Sequence, residues 1–305
     1  MAVEPRPAGV ELPGPGPAGA APAAGGPFGR IPAEGLFIGG AITQYVGASL
    51  AVLLFAVVPA GGVAWLRVVA AAGALAVWRR PWETRWSARR LGLAACFGIT
   101  LAAMNLTFYL AIDRLPLGSA VAIEFAGPIA VATLGSRTRR DFVALALAVG
   151  GVLLLADVRF SGAALGVGLA LAAGALWALY IVLGHRLATE AALRPRDGLA
   201  AGMMIGALVF APLLVSSAGP AFDVPWRLGA CLLVGLLSSV VPYALDQLAM
   251  TRLPRARFAL LLSILPATAA LVGAVVLGQL PRAVEVAGIG LVVAASAMRS
   301  HGADR

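Results

Sequence analysis

Lysine is absent from this chain, and charge of either sign is scarce: 14 acidic residues and 23 arginines make up 12% of 305 residues. A soluble domain carries about a quarter charged residues, so the balance points away from a water-soluble fold. The two cysteines, Cys96 and Cys231, lie singly in apolar stretches, with no CxxC or Cys/His spacing. The two histidines, His185 and His301, fall in a connector and near the C-terminus. No metal or redox centre is expected, and no cofactor. Walker A, GxSxG and HExxH sequences are missing, as are clustered aspartates of the prenyltransferase kind. An ATP-driven pump would need a separate ATPase subunit. An intramembrane enzyme remains only as an alternative from another class.

Apolar sequence fills the place of these motifs. The chain is 60% hydrophobic with a mean hydropathy of +0.92. A spanning helix needs roughly 17–25 apolar residues. Ten candidates are legible, at about 36–58, 62–78, 91–112, 117–135, 141–156, 161–183, 198–216, 228–250, 256–278 and 283–298. The expected fold is therefore an all-α polytopic membrane protein with ten transmembrane helices. Ahead of them, residues 1–34 form a Pro/Gly/Ala-rich tail whose composition cannot pack a core and is expected to be disordered. The tail lacks the form of a signal peptide, so the first helix is expected to act as the insertion signal.

The arginines are distributed unevenly. Eighteen fall in the tails and in connectors 79–90, 136–141, 184–197 and 251–257, against four (Arg114, Arg159, Arg227, Arg282) in the opposite set. This is a positive-inside pattern. It places both termini in the cytoplasm and requires an even helix count. Basic clusters beside helices orient the chain and touch anionic lipid; nucleic acid is not an expected partner.

An internal repeat is also present. Residues 110–116 read LAIDRLP and residues 248–254 read LAMTRLP, five identities in seven at an offset of 138. Twelve residues beyond each final proline stands another, Pro128 and Pro266. The first repeat then spans 35–158 and the second 159–298, with a short cytoplasmic tail at 299–305. Each repeat holds five helices, and five is odd, so the second enters the membrane from the opposite side. Two inverted five-helix repeats are the architecture of secondary transporters, which bind substrate near the bilayer midplane.

Ionisable groups are costly in hydrocarbon, and those that persist face a cavity or a partner. Three stand inside the apolar runs: Arg67, Glu124 and Asp246. Glu124, eight residues past Pro116, lies about 12 Å below the surface, near the midplane. It is either a proton acceptor, a counter-charge for a substrate ammonium, or a structural partner of Arg67. Arg67 either pairs with Glu124, takes a substrate carboxylate through its planar fork, or snorkels to the headgroups. Tyr243, Asp246 and Gln247 share one helix face at i, i+3 and i+4. Asn105 and Tyr109 form a similar pair, and Gln44 lies in the first helix. These five uncharged residues are cavity-lining candidates or interhelical hydrogen-bonding groups. Gly127, Pro128 and Pro266 are expected to break or kink their helices. GLFIG at 35–39 and GMMIG at 202–206 are GxxxG patterns that allow a homodimer face.

The stretch RLPLGSAVAIEFAGPIAVATLGSR, followed by DFVALALAVGGVLLL, resembles the EamA family of the drug/metabolite transporter superfamily, and within it the inner-membrane threonine/homoserine exporter group. Supporting stretches are QYVGASLA, WLRVVAAAGAL, MNLTFYLAI and SSVVPYALDQLAMTRLP, and the similarity covers roughly residues 35–298. The resemblance implies a ten-helix exporter of small metabolites in a bacterial-type plasma (inner) membrane, driven by protons. It carries over Arg67, Glu124 and Pro128, and Asp246 at a position that tends to be acidic. Departures are Leu265, where a Glu often precedes the proline; Leu277–Leu280, a turn usually holding an acid; and Val52, where relatives can carry a Lys. The thinner acidic set leaves room for a more apolar amino acid or a different metabolite. A facilitator of an uncharged compound, with structural charges, is the alternative.

Overall fold

The computed structural model describes residues 31–135, 138–156, 163–188 and 195–300. The tail up to residue 30, the last five residues, and Arg137, Arg159 and Arg194 of the arginine pattern lie outside them. The described residues are helical and contain no strand.

The helices in chain order are α1 (Ala33–Leu54), α2 (Ala60–Arg79), α3 (Ala88–Ile112), α4 (Leu117–Glu124), α5 (Ala126–Gly135), α6 (Arg139–Ala156), α7 (Ala163–Ala188), α8 (Pro195–Phe222), α9 (Pro225–Gly235), α10 (Val241–Met250), α11 (Arg255–Leu262), α12 (Leu265–Leu277) and α13 (Ala283–Ser300). Seven stretches are long and apolar enough to cross a membrane, and Leu117–Val131 and Ala283–Met298 are shorter apolar helices. The expected span at 141–156 belongs to α6, which opens on Arg139, Arg140 and Asp141, so its full length is more polar than its core. The first span ends earlier than expected, at Leu54, because the chain turns before Pro59. The seventh runs on to Phe222 through Pro212 and Pro220.

Prolines set where the helices start and stop. Pro116 and Pro254 cap α4 and α11 with closely matching backbone angles, φ −55°, ψ 141° and φ −57°, ψ 146°. A proline has no N–H and crowds the carbonyl four residues back. For Pro128 that residue is Glu124, and for Pro266 it is Leu262. Both helices end there: α4 and α11 are each eight residues long. Gly127 is not part of the break. It lies inside α5, where an added Cβ would meet the carbonyl of Gly174 on α7.

Packing pairs α2 with α8, α3 with α7 and α8, α6 with α13, and α1 with α10 and α12; α7 also packs on α4 and α5. Glycines permit the closest crossings. A Cβ on Gly98 of α3 would fall on the carbonyl of Gly202, and one on Gly206 would lie 2.5 Å from the Gly98 oxygen. The GMMIG pattern is therefore spent inside the chain and offers no dimer face, whereas Gly39 of GLFIG has nothing within 4 Å.

The exterior is apolar: Val77, Leu208, Leu213 and Val275 each leave about 70–76% of their surface exposed. Trp78, Trp82 and Trp226 are exposed near helix ends, and the Arg79 guanidinium lies 4.3 Å above the Trp78 ring. Such positions suit the headgroup region.

Candidate functional site

Glu124 closes α4 and is buried. Its side chain borders a cavity of about 80 Å³, together with Gln44 and Tyr45 of α1, Arg67 of α2, Asn105 and Met104 of α3, and Trp177 of α7. Four of the residues singled out in the sequence thus converge: Gln44, Arg67, Asn105 and Glu124. Among the described residues no hydrogen bond or ion pair reaches the Glu124 carboxylate. It interacts with Arg67 electrostatically, without direct contact.

Arg67 does not snorkel. Its Nε donates to Ser239 Oγ at 3.0 Å and its Nη2 to the Ser238 carbonyl at 2.9 Å. Its guanidinium lies 5.1 Å from the Tyr109 ring centre, a cation–π distance. The reason lies in Pro242. Lacking an N–H, it leaves the Ser238 carbonyl, four residues back, without its helical donor. The backbone relaxes into a π-helical turn over Leu236–Val240, and Arg67 fills the vacancy. Ser238 Oγ in turn donates to the Gln44 carbonyl at 3.3 Å. A Cβ on Gly47 would stand 2.9 Å from Leu237 Cβ, so α1 lies directly on this turn.

Replacing Pro242 by Ala restores the missing donor. The expected result is a regular helix, a protein at least as stable to heat, and a guanidinium displaced from Ser238. Thermal melting, with a structure of the variant, checks both halves.

Asp246 is half-buried and lies beside Gly40, where an added Cβ would be 3.3 Å from its Oδ1. Gly40 and Gln44 are four apart on α1, so Asp246 is displaced one helical turn from the cavity. Tyr45 lies within electrostatic reach of both Glu124 and Asp246. Tyr109 is fully buried beneath Arg67, its hydroxyl without a partner among the described residues, and does not line the cavity. Asn105 Nδ2 donates to Leu101 within its own helix at 2.8 Å. Tyr243 packs instead against the apolar cluster around Phe97. Gln247 is on α10, but its side chain lies outside the described residues.

Sequence reasoning missed Tyr45, Trp177, Ser238 and Ser239. Trp177 packs edge-on against Phe125 at 4.9 Å, walling the cavity beside the helix break. Ser238 had a readable signal, the proline four residues on; a tyrosine and a tryptophan in apolar helices had none.

A profile of the EamA-like transporter family matches residues 164–300. The threonine/homoserine exporter RhtA of Escherichia coli (strain K12) is 39% identical over 260 residues, covering 82% of this chain and 85% of its own. RhtA of Salmonella typhimurium (strain LT2) is 38% identical over the same length and shares. A solved crystal structure shares the fold with a TM-score of 0.57 at 19% identity, covering 89% of this chain and 98% of its own. An all-helical, multi-pass chain with charged residues gathered at a helix break, and related to these exporters over most of its length, belongs to the EamA-like transporter family.

Proposed function

We propose that the protein exports a threonine- or homoserine-like amino acid across a bacterial inner membrane, by alternating access between two inverted five-helix repeats and in exchange for protons. The observation that carries this reading is the Glu124 carboxylate: buried, without a hydrogen-bond donor among the described residues, and lining one small cavity with Arg67. An α-amino acid brings the two missing partners. Its ammonium suits Glu124, and its carboxylate suits Arg67, whose Nη1 makes no hydrogen bond among the described residues. A proton and the ammonium compete for the same carboxylate, which links the passage of one to the return of the other. Asp246, reached through Tyr45, is a second acidic group on the path.

The repeat reading is supported by how the helices pair. When the interrupted helices are taken as single rods (α4–α5, α9–α10, α11–α12), α1 against α9–α10 and α11–α12 corresponds to α7 against α3 and α4–α5 under exchange of repeats. At about 80 Å³ the cavity is below the roughly 300–1,000 Å³ that whole ligands occupy, so binding requires the helices around it to part. The sequence resemblance to the RhtA exporters supports the substrate class.

The test is transport in proteoliposomes. Purified protein under an imposed pH gradient should concentrate labelled threonine above equilibrium, and a protonophore should abolish the concentration. Equilibration without concentration would identify a facilitator and sink the coupling; chemical conversion of the label would identify an enzyme.

A further inference from the structure

The central cavity has a larger neighbour. A second, of about 520 Å³, opens at the other end of α4, between that end, the start of α13 and the loop that precedes it. Gly118 and Ser119 line it, whereas Val121 and Glu124 line the central one. The two cavities therefore flank one eight-residue helix, Ser119 and Glu124 being about 7.5 Å apart in rise.

The larger cavity contains a buried charge. Glu285 borders it with only 3% of its surface exposed. Its Oε2 accepts the Arg282 backbone N–H at 2.7 Å and so caps α13. Its Oε1 is buried and has no hydrogen-bond partner among the described residues. A carboxylate oxygen left in that state is costly. Capping therefore explains one oxygen of Glu285 and not the other. The same cavity presents positive charge and a free amide. Arg114 uses Nη1 for the Leu110 carbonyl and Asp113, and no partner for its Nη2 is found among the described residues. Gln279 uses Oε1 to accept the Leu117 N–H at 2.9 Å, which leaves its amide nitrogen without an acceptor among the described residues.

We propose that this cavity is a second binding site, for the zwitterionic head of an α-amino acid, with Glu285 taking the ammonium and Arg114 and Gln279 taking the carboxylate. The proposal rests on the amino-acid exporter reading and adds to it a station at the Arg114 end of the pathway, beyond the Glu124 cavity. Its volume falls within the range of ligand pockets.

The test is equilibrium binding of labelled L-threonine to the full-length protein in nanodiscs. Binding should survive Glu124→Gln, and in that background Glu285→Gln should weaken it by about tenfold, the loss of one charge-assisted contact. Glutamine retains an oxygen for the Arg282 N–H, so the helix cap persists. N-acetyl-L-threonine, which lacks the ammonium, should not compete. Arg114→Gln should weaken threonine binding while leaving that of L-threonine methyl ester unchanged. The proposal is overturned if no threonine binding survives Glu124→Gln, if Glu285→Gln leaves the surviving binding intact, if N-acetyl-L-threonine competes equally, or if both ligands respond alike to Arg114→Gln. Proteoliposome transport is scored separately. Export that persists without this binding rejects the site alone, and binding at Glu285 without export rejects the exporter reading.

Discussion

On the proposed exporter reading, Glu124→Gln is expected to abolish concentrative, proton-driven transport of threonine while the protein still folds and inserts. The substitution keeps the shape of the side chain and removes only its capacity to hold a proton or face an ammonium. Because no hydrogen bond among the described residues reaches the carboxylate, no such bond is broken, and only the electrostatic interaction with Arg67 is lost. The initial rate under a pH gradient should fall at least about a hundredfold, the size expected when a charge-assisted partner worth about 3 kcal/mol is lost. The residual rate should no longer respond to the gradient. Arg67→Gln should differ, because it strips the Ser238 carbonyl of its donor and so lowers the melting temperature as well as transport. A Glu124→Gln protein that concentrates threonine normally between pH 6 and 8 would remove this residue from coupling.

The largest stability effect is expected far from the polar cavity, at Gly98. A Cβ there would fall on the carbonyl of Gly202, backbone against backbone, so no side chain can swing aside. Overpacking costs about 1–3 kcal/mol where neighbours can relax; Gly98→Val should reach at least the upper end and leave little folded protein after extraction. Gly73 provides the control, since nothing lies within 4 Å of its added Cβ. Gly73→Ala should be neutral or stabilising by about 0.5–1 kcal/mol, because alanine favours the helix. Fluorescence-detected size-exclusion and thermal melting distinguish the two. Equal losses at both positions would show that glycine content, and not the α3–α8 crossing, governs stability.

Much of this was readable from residues alone, for reasons that differ by element. The apolar runs located the helices because a bilayer allows few alternatives. The paired RLP stretches and the prolines twelve residues on located both helix breaks, since the proline acts on its own chain four residues back. Glu124 and Arg67 were visible as charges in apolar surroundings. Gln44 and Asn105 were visible only as polar side chains, and their meeting at one cavity depends on the tertiary arrangement of the helices. Tyr45 and Trp177 gave no sign, because their sequence neighbours say nothing about which helices they will face. Arg67 illustrates the limit most clearly: its charge was legible, but its partner, the Ser238 carbonyl, lies 171 residues away. Tyr243 shows the converse, because its spacing from Asp246 suggested a shared cavity and packing sent it to another cluster.

The glycine crossings have a mechanical consequence. Where Gly127 meets Gly174, or Gly98 meets Gly202, the two helices touch backbone to backbone. A ridge seated in a groove resists sliding, because the two must separate before they can move. A bare carbonyl against a bare Cα has no such teeth, and a small shear along it leaves the packing intact. The Gly127–Gly174 contact is such a point beside Glu124, and a single methyl at Gly174 would stand 2.5 Å from the Glu124 carbonyl and remove it.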